Sequence, residues 1–118
     1  MTYFESRIPV NINDFTEIKK KIEICENLGI KNIILEPMNG IEIIRSGFRK
    51  RVQNESKVKI FFRINLRINK IEVFKAKIKK YSNFTDILSV ESLNREVQLQ
   101  SAKDSRVDIV SFSDPEII

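Results

Sequence analysis

Histidine and tryptophan are absent from this chain, cysteine occurs once, and glycine and proline occur three times each. The missing histidine removes the commonest general base and the commonest metal ligand together. A Ser-His-Asp triad is therefore excluded, although serines are plentiful. Cys25 stands alone, so no disulfide can form within the chain, and a reducing compartment such as the cytoplasm is expected. Gly29, Gly40 and Gly47 are too few and wrongly spaced for a dinucleotide fingerprint or a phosphate-binding P-loop. No cofactor is expected. No stretch approaches the roughly 18 apolar residues of a membrane span. Residues 1–10 carry Glu5 and Arg7 and lack an apolar run, unlike a signal peptide.

What is present is a core-forming hydrophobic fraction of 42% and a charged fraction of 31%, over 118 residues with a net charge of +5. The charge is unevenly placed. Residues 1–40 sum to −1, residues 41–82 hold 13 Lys/Arg against 3 Asp/Glu for +10, and residues 83–118 sum to −4. A basic middle lies between two mildly acidic ends, and a basic balance favours polyanionic partners.

Asp14 and Glu17 stand in capping-box spacing ahead of Phe15, Ile18, Ile22, Cys25 and Leu28. That stripe predicts a helix stopped by Gly29, followed by a buried strand over Ile30 to Leu35. Pro37, Asn39 and Gly40 mark a loop, and residues 41–56 read as a short helix or a mobile connection. Ile60, Phe62, Ile64, Leu66 and Ile68 alternate with Phe61, Arg63, Asn65 and Arg67, the clearest strand pattern in the chain. Ile71, Phe74, Ile78 and Tyr81 return to helical spacing among Lys70, Lys75, Lys77, Lys79 and Lys80. Asp86 to Val90 reads as a strand. Asn94 caps a helix with an inner face of Val97, Leu99 or Ala102, and Ser105. Val107 to Phe112 reads as the last strand, ended by Pro115. Five strands alternating with four connections predict an α/β fold of (β/α) repeats with a mainly parallel sheet, as one domain or a partial barrel over residues 1–118.

Three sets of residues could carry chemistry. Cys25 lies on an apolar stripe and reads as a core residue. Glu36, Glu91 and Asp114 each follow an apolar strand, where a parallel sheet or barrel places its site; three acids there could hold a divalent cation. Acids also flank the opposite strand ends, at Asp86 and Asp108, which weighs against a dedicated site. The third set is basic. Arg45, Arg49, Lys50 and Arg51 cluster around Phe48, and Arg63 and Arg67 share the second face of the alternating strand. The planar fork of arginine donates two hydrogen bonds to a phosphate at once, so these six are the candidate RNA-binding residues. The lysines of 70–80 read as a solvated helix face.

Residues 86–112, DILSVESLNREVQLQSAKDSRVDIVSF, resemble the ribonuclease P protein component 3 family of archaea and eukaryotes. The likeness lies in the strand Asp86 to Glu91, the helix start Asn94-Arg95-Glu96, Ala102, and the strand Val107-Asp108-Ile109-Val110. KIFFRINLRI at 59–68 is similar to that family's central strand, and LGIKNIILEP at 28–37 to its first return from helix to strand. The resemblance implies a TIM-like barrel of the histidinol-phosphatase type, here its N-terminal half, because the sequence stops shortly after VDIVSF. A half barrel would expose two sheet edges. The resemblance further implies a ribonuclease P subunit that binds ribonuclease P RNA and precursor tRNA, pairs with protein component 2, and leaves the cleavage to the RNA. The alternatives from the residues are a metal-dependent hydrolase using Glu36, Glu91 and Asp114, or an interaction module without RNA.

Overall fold

A computed structural model describes residues 5–38 and 46–112. The elements alternate as β1 (Glu5–Val10), α1 (Phe15–Asn27), β2 (Asn32–Pro37), α2 (Ser46–Asn54), β3 (Lys59–Arg67), α3 (Ile71–Tyr81), β4 (Ile87–Ser92), α4 (Arg95–Lys103) and β5 (Ile109–Phe112). The strands form a five-stranded parallel sheet in the order β1-β2-β3-β4-β5. Strand order equal to chain order is what successive strand–helix–strand crossovers produce. The expected α/β repeat architecture is therefore present. Among the described residues no helix is long and apolar enough to cross a membrane. Contacts divide the chain into two compact units, Met1–Arg63 and Ile64–Ile118.

In the first unit the Asp14 side chain accepts a hydrogen bond from the Glu17 backbone N–H at 3.0 Å and starts α1. Ile18, Ile22 and Cys25 are buried on the inner stripe. Cys25 is thus a core residue, as its position on the stripe predicts. Leu28 departs from that stripe and is 72% exposed. It is the C-cap residue, still in the αR conformation with its N–H on Ile24 O, at the end of the helix where the stripe runs out of core. Gly29 follows at φ 75°, a left-handed conformation that costs a residue with a Cβ about 1–2 kcal/mol. Its N–H donates to Glu26 O and the Ile30 N–H donates to Cys25 O, both at 3.0 Å. This pair of bonds is a Schellman closure. It engages Ile30, which is why β2 starts at Asn32 and not at Ile30.

β1 and β2 pair from Glu5↔Asn32 to Val10↔Pro37, and β2 and β3 pair from Asn32↔Lys59 to Leu35↔Phe62. Residues 41–56 resolve in part: α2 occupies Ser46–Asn54, and residues 39–45 lie outside the described residues. Val10, Ile18, Ile22, Cys25, Ile33, Leu35, Val52, Ile60 and Phe62 form one core, with Phe15 and Phe48 packed against it. Each fully buried Ile, Leu or Val contributes about 1.5–3 kcal/mol. Side chains lock the turn into β3. The Gln53 amide donates to Val58 O at 2.8 Å and accepts from the Ile60 N–H at 2.9 Å. Glu26 Oε1 accepts from the Ser56 hydroxyl at 2.9 Å and from the Lys57 N–H at 3.1 Å.

In the second unit Ile64, Leu66, Ile68, Phe74, Ile78, Leu88, Val90 and Val97 are buried. β4 and β5 pair from Ser89↔Ile109 to Ser92↔Phe112. Asp108 fastens the start of that pair: its carboxylate accepts from the Leu88 N–H at 2.8 Å, and its own N–H donates to Leu88 O at 2.8 Å. Both strands begin later than the sequence pattern suggests, at Ile87 and Ile109. The inner face of α4 also differs from expectation. Val97 and Ser101, four residues apart, are buried, whereas Leu99 is 54% exposed and Ala102 and Ser105 are exposed. Ser101 is tolerated inside because its hydroxyl donates to Val97 O at 2.7 Å.

Candidate nucleic-acid interface

Phe48 and Val52 face the core, so Lys50 lies on the opposite face of α2, with Arg49 and Arg51 on its flanks. Lys50 and Arg51 are exposed and Arg49 is half-buried. The Arg51 guanidinium lies 3.8 Å from the centroid of the Phe15 ring on α1. Stacking on a ring face leaves the in-plane N–H groups of an arginine pointing outward, and it limits the rotamer freedom lost on binding. The Arg49 guanidinium is farther from its aromatic neighbour, at 6.0 Å from Phe62. α2 contains no acidic residue. The next acid along the chain, Glu55, is paired with Lys19 at 3.4 Å. Arg45 lies outside the described residues.

The two arginines of β3 separate. Arg63 is only 7% exposed. It is therefore withdrawn from the set of surface phosphate contacts, a correction to the sequence reading. The physical reason is that β3 is an interior strand of a parallel sheet, where both faces can be covered, so alternation alone does not make the second face a solvent face. Arg67, at the carboxyl end of the strand, has a side chain 74% exposed.

Arg67 and Glu91 meet. Arg67 Nη2 lies 3.5 Å from Glu91 Oε2, and the Asn65 amide donates to the same oxygen at 3.4 Å. The Ser89 hydroxyl in turn donates to Asn65 Oδ1 at 2.9 Å. Beyond this row the carboxyl ends of β3 and β4 are tied together through Asn69. Its Oδ1 accepts from the Leu93 N–H at 3.0 Å, and its backbone carbonyl accepts from the Asn94 amide at 3.2 Å. Asn94 also caps α4 by accepting from the N–H groups of Glu96 at 2.9 Å and Val97 at 3.2 Å. Arg67, Asn69, Glu91, Ser92 and Leu93 line a cleft of about 280 Å³. Sequence reading found Arg67 and Glu91 but assigned them to rival sites, and it missed Asn65, Asn69 and Ser92. The signal for the latter was the polar run at the end of an apolar strand.

The acidic set behaves differently from expectation. Glu36 and Glu91 do not follow their strands; each is the fifth residue of one, held in register opposite Pro9 and Ser111 respectively. Glu36 belongs to the first unit and Glu91 to the second. Asp114 lies outside the described residues. Among the described residues no group of three or more potential ligands stands close enough to hold a metal ion.

One acid is visibly perturbed. Asp104 binds Arg106 through two side-chain contacts, at 3.0 and 2.8 Å, and accepts from its backbone N–H at 2.9 Å. The hydrogen bond from the Arg106 side chain holds the Asp104 carboxyl below its ordinary value, and the Arg106 guanidinium is raised in return. The pair closes the turn into β5.

Comparison of the chain with protein-family models, with curated proteins and with solved structures finds no match.

Proposed function

We propose that this protein is an RNA-binding subunit of the ribonuclease P type, supporting removal of the 5′ leader from precursor tRNA while the RNA performs the cleavage. The observation that carries the RNA reading is Arg51, exposed and stacked 3.8 Å over Phe15 beside exposed Lys50, on a helix without an acid. A stacked guanidinium with outward N–H groups is suited to a phosphate backbone, and α2 sits in the segment that carries the chain's excess of positive charge. The ribonuclease P assignment rests on the sequence resemblance, and the serial β/α architecture accords with it. On this reading the partners are ribonuclease P RNA, precursor tRNA and protein component 2.

Reconstitution tests the assignment. The chain is added to ribonuclease P RNA and the remaining protein subunits, and precursor-tRNA cleavage is measured with and without it. Stimulation of cleavage is expected, with a smaller effect from Arg51→Glu. Cleavage indifferent to the chain, although the chain binds RNA, would leave an RNA-binding protein of another pathway.

A further inference from the structure

The cleft at the carboxyl ends of β3 and β4 offers a different chemistry from α2. We infer that it is a ribose-recognising subsite, holding one sugar–phosphate unit of a single-stranded RNA and distinguishing it from DNA. The inference rests on the RNA-binding reading and adds a sugar specificity to it.

The atoms already engaged decide what the cleft can still bind. Glu91 Oε2 accepts a long bond from Asn65 at 3.4 Å and lies 3.5 Å from Arg67, so both contacts bias the carboxylate to one side. Its second oxygen, Oε1, takes part in none of these contacts, and Glu91 is one of the residues that line the cleft. A carboxylate oxygen is an acceptor only, so its natural ligand is a hydroxyl donor. A phosphate would be repelled by it. Arg67 supplies the opposite requirement: one Nη2 contact at 3.5 Å leaves most of its donors for an anion. Asn69 adds an amide whose oxygen is committed to the Leu93 N–H, leaving its NH₂ as a donor. Leu93, 77% exposed, gives the rim an apolar surface for the sugar or the face of a base.

An acceptor for a hydroxyl, a guanidinium for an anion and an apolar rim together match the ribose 2′-hydroxyl, its neighbouring phosphate and the attached nucleoside. The same division, acid on the sugar hydroxyl and basic or backbone donors on phosphate, is how dinucleotide sites are built. Ribose contact is also how a protein tells RNA from DNA. The volume, about 280 Å³, sits at the lower end of small-molecule pockets, which suits one unit of a longer strand more than an enclosed free ligand. Arg67 beside Glu91 lessens the repulsion between the carboxylate and an arriving phosphate.

The test measures fluorescence anisotropy of a labelled 12-nucleotide single-stranded RNA and of its all-deoxy counterpart, at one fixed salt concentration, with the full chain. Wild type is expected to prefer RNA by about tenfold, the worth of a hydroxyl hydrogen bond to a charged acceptor. Glu91→Ala should reduce that preference to about twofold or less while DNA affinity stays the same or rises. Arg67→Ala should weaken both polymers and, because it also removes one of the two contacts to Glu91 Oε2, lower the RNA preference in part. Thermal melting of each variant confirms folding, and Asn65→Ala, which loosens Glu91 without removing it, should give an intermediate preference. Equal wild-type affinity for RNA and DNA overturns the ribose subsite and leaves the RNA-binding reading intact. A preference that survives Glu91→Ala also overturns it. Absence of binding to either polymer removes both.

Discussion

Reversing two charges on α2 should change how binding responds to salt in a way that the same change on α3 does not. Lys50 and Arg51 are exposed on α2, and Lys75 and Lys79 are exposed one turn apart on α3. Lys50→Glu with Arg51→Glu, and Lys75→Glu with Lys79→Glu, each lower the net charge by four. Each phosphate contact contributes about 0.7–0.9 to the slope of log K against log salt. Loss of two contacts should therefore flatten the slope by about 1.4–1.8. Between 50 and 200 mM salt one contact alone is worth roughly a threefold change in affinity. The assay is anisotropy titration of precursor tRNA across that range. The α3 pair should shift the slope by much less, because those lysines cover the solvent side of a helix whose inner face is Phe74 and Ile78. Arg51 also gives up its stack on Phe15, worth about 0.5–1 kcal/mol at an exposed site, which a parallel urea melt measures directly. Phe15→Leu separates charge from positioning: affinity should fall while the slope is kept. Equal flattening by both double variants would mean diffuse attraction to a basic protein. A wild-type affinity indifferent to salt would refute the RNA reading itself.

Gly29→Ala should destabilise the fold by about 1–2 kcal/mol in urea denaturation, because φ is 75° and no neighbour lies within 4 Å of an added Cβ, so the backbone alone carries the cost. Asn94→Ala should cost about 1–2 kcal/mol, since it removes the α4 cap and the bond to Asn69 O together; Asn94→Asp, which keeps the cap acceptor, should recover part of that loss. The Asp104 carboxyl is held below its ordinary 3.8, so its contribution to stability is present above about pH 4 and is lost as pH falls through the lowered folded value. Asp104→Asn should abolish that part of the acid dependence in melts from pH 2 to 6, and an unchanged profile would show that the Arg106 pair does not persist in solution.

The legible parts of this protein are those where a local rule and the tertiary environment agree. Asp14, the stripe Ile18, Ile22 and Cys25, and Gly29 state a helix with both ends, and the chain obeys at each point. β3 is equally plain as a strand, yet its faces are not. The alternation puts Arg63 and Arg67 on one side, and only neighbours distant in sequence decide that Arg63 is covered and Arg67 is not. α4 misleads for a related reason. Leu99 is the more hydrophobic candidate for the core, but it lies two residues from Val97, about 200° round the helix, whereas Ser101 lies four residues on and shares the Val97 face. Ser101 satisfies its hydroxyl within its own helix. The candidate site lies further from the reach of sequence. Arg67 and Glu91 are 24 residues apart, and in the sequence one belongs to a basic set and the other to an acidic set. Parallel pairing sets both at carboxyl ends of strands, where Ile68 N–H donates to Glu91 O and continues the ladder past β3. Charge of opposite sign, which argues for rival functions when read along the chain, becomes one cleft with a donor and an acceptor when read across the sheet. A hydroxyl beside an anion needs that combination, and neither charge set alone would suggest it.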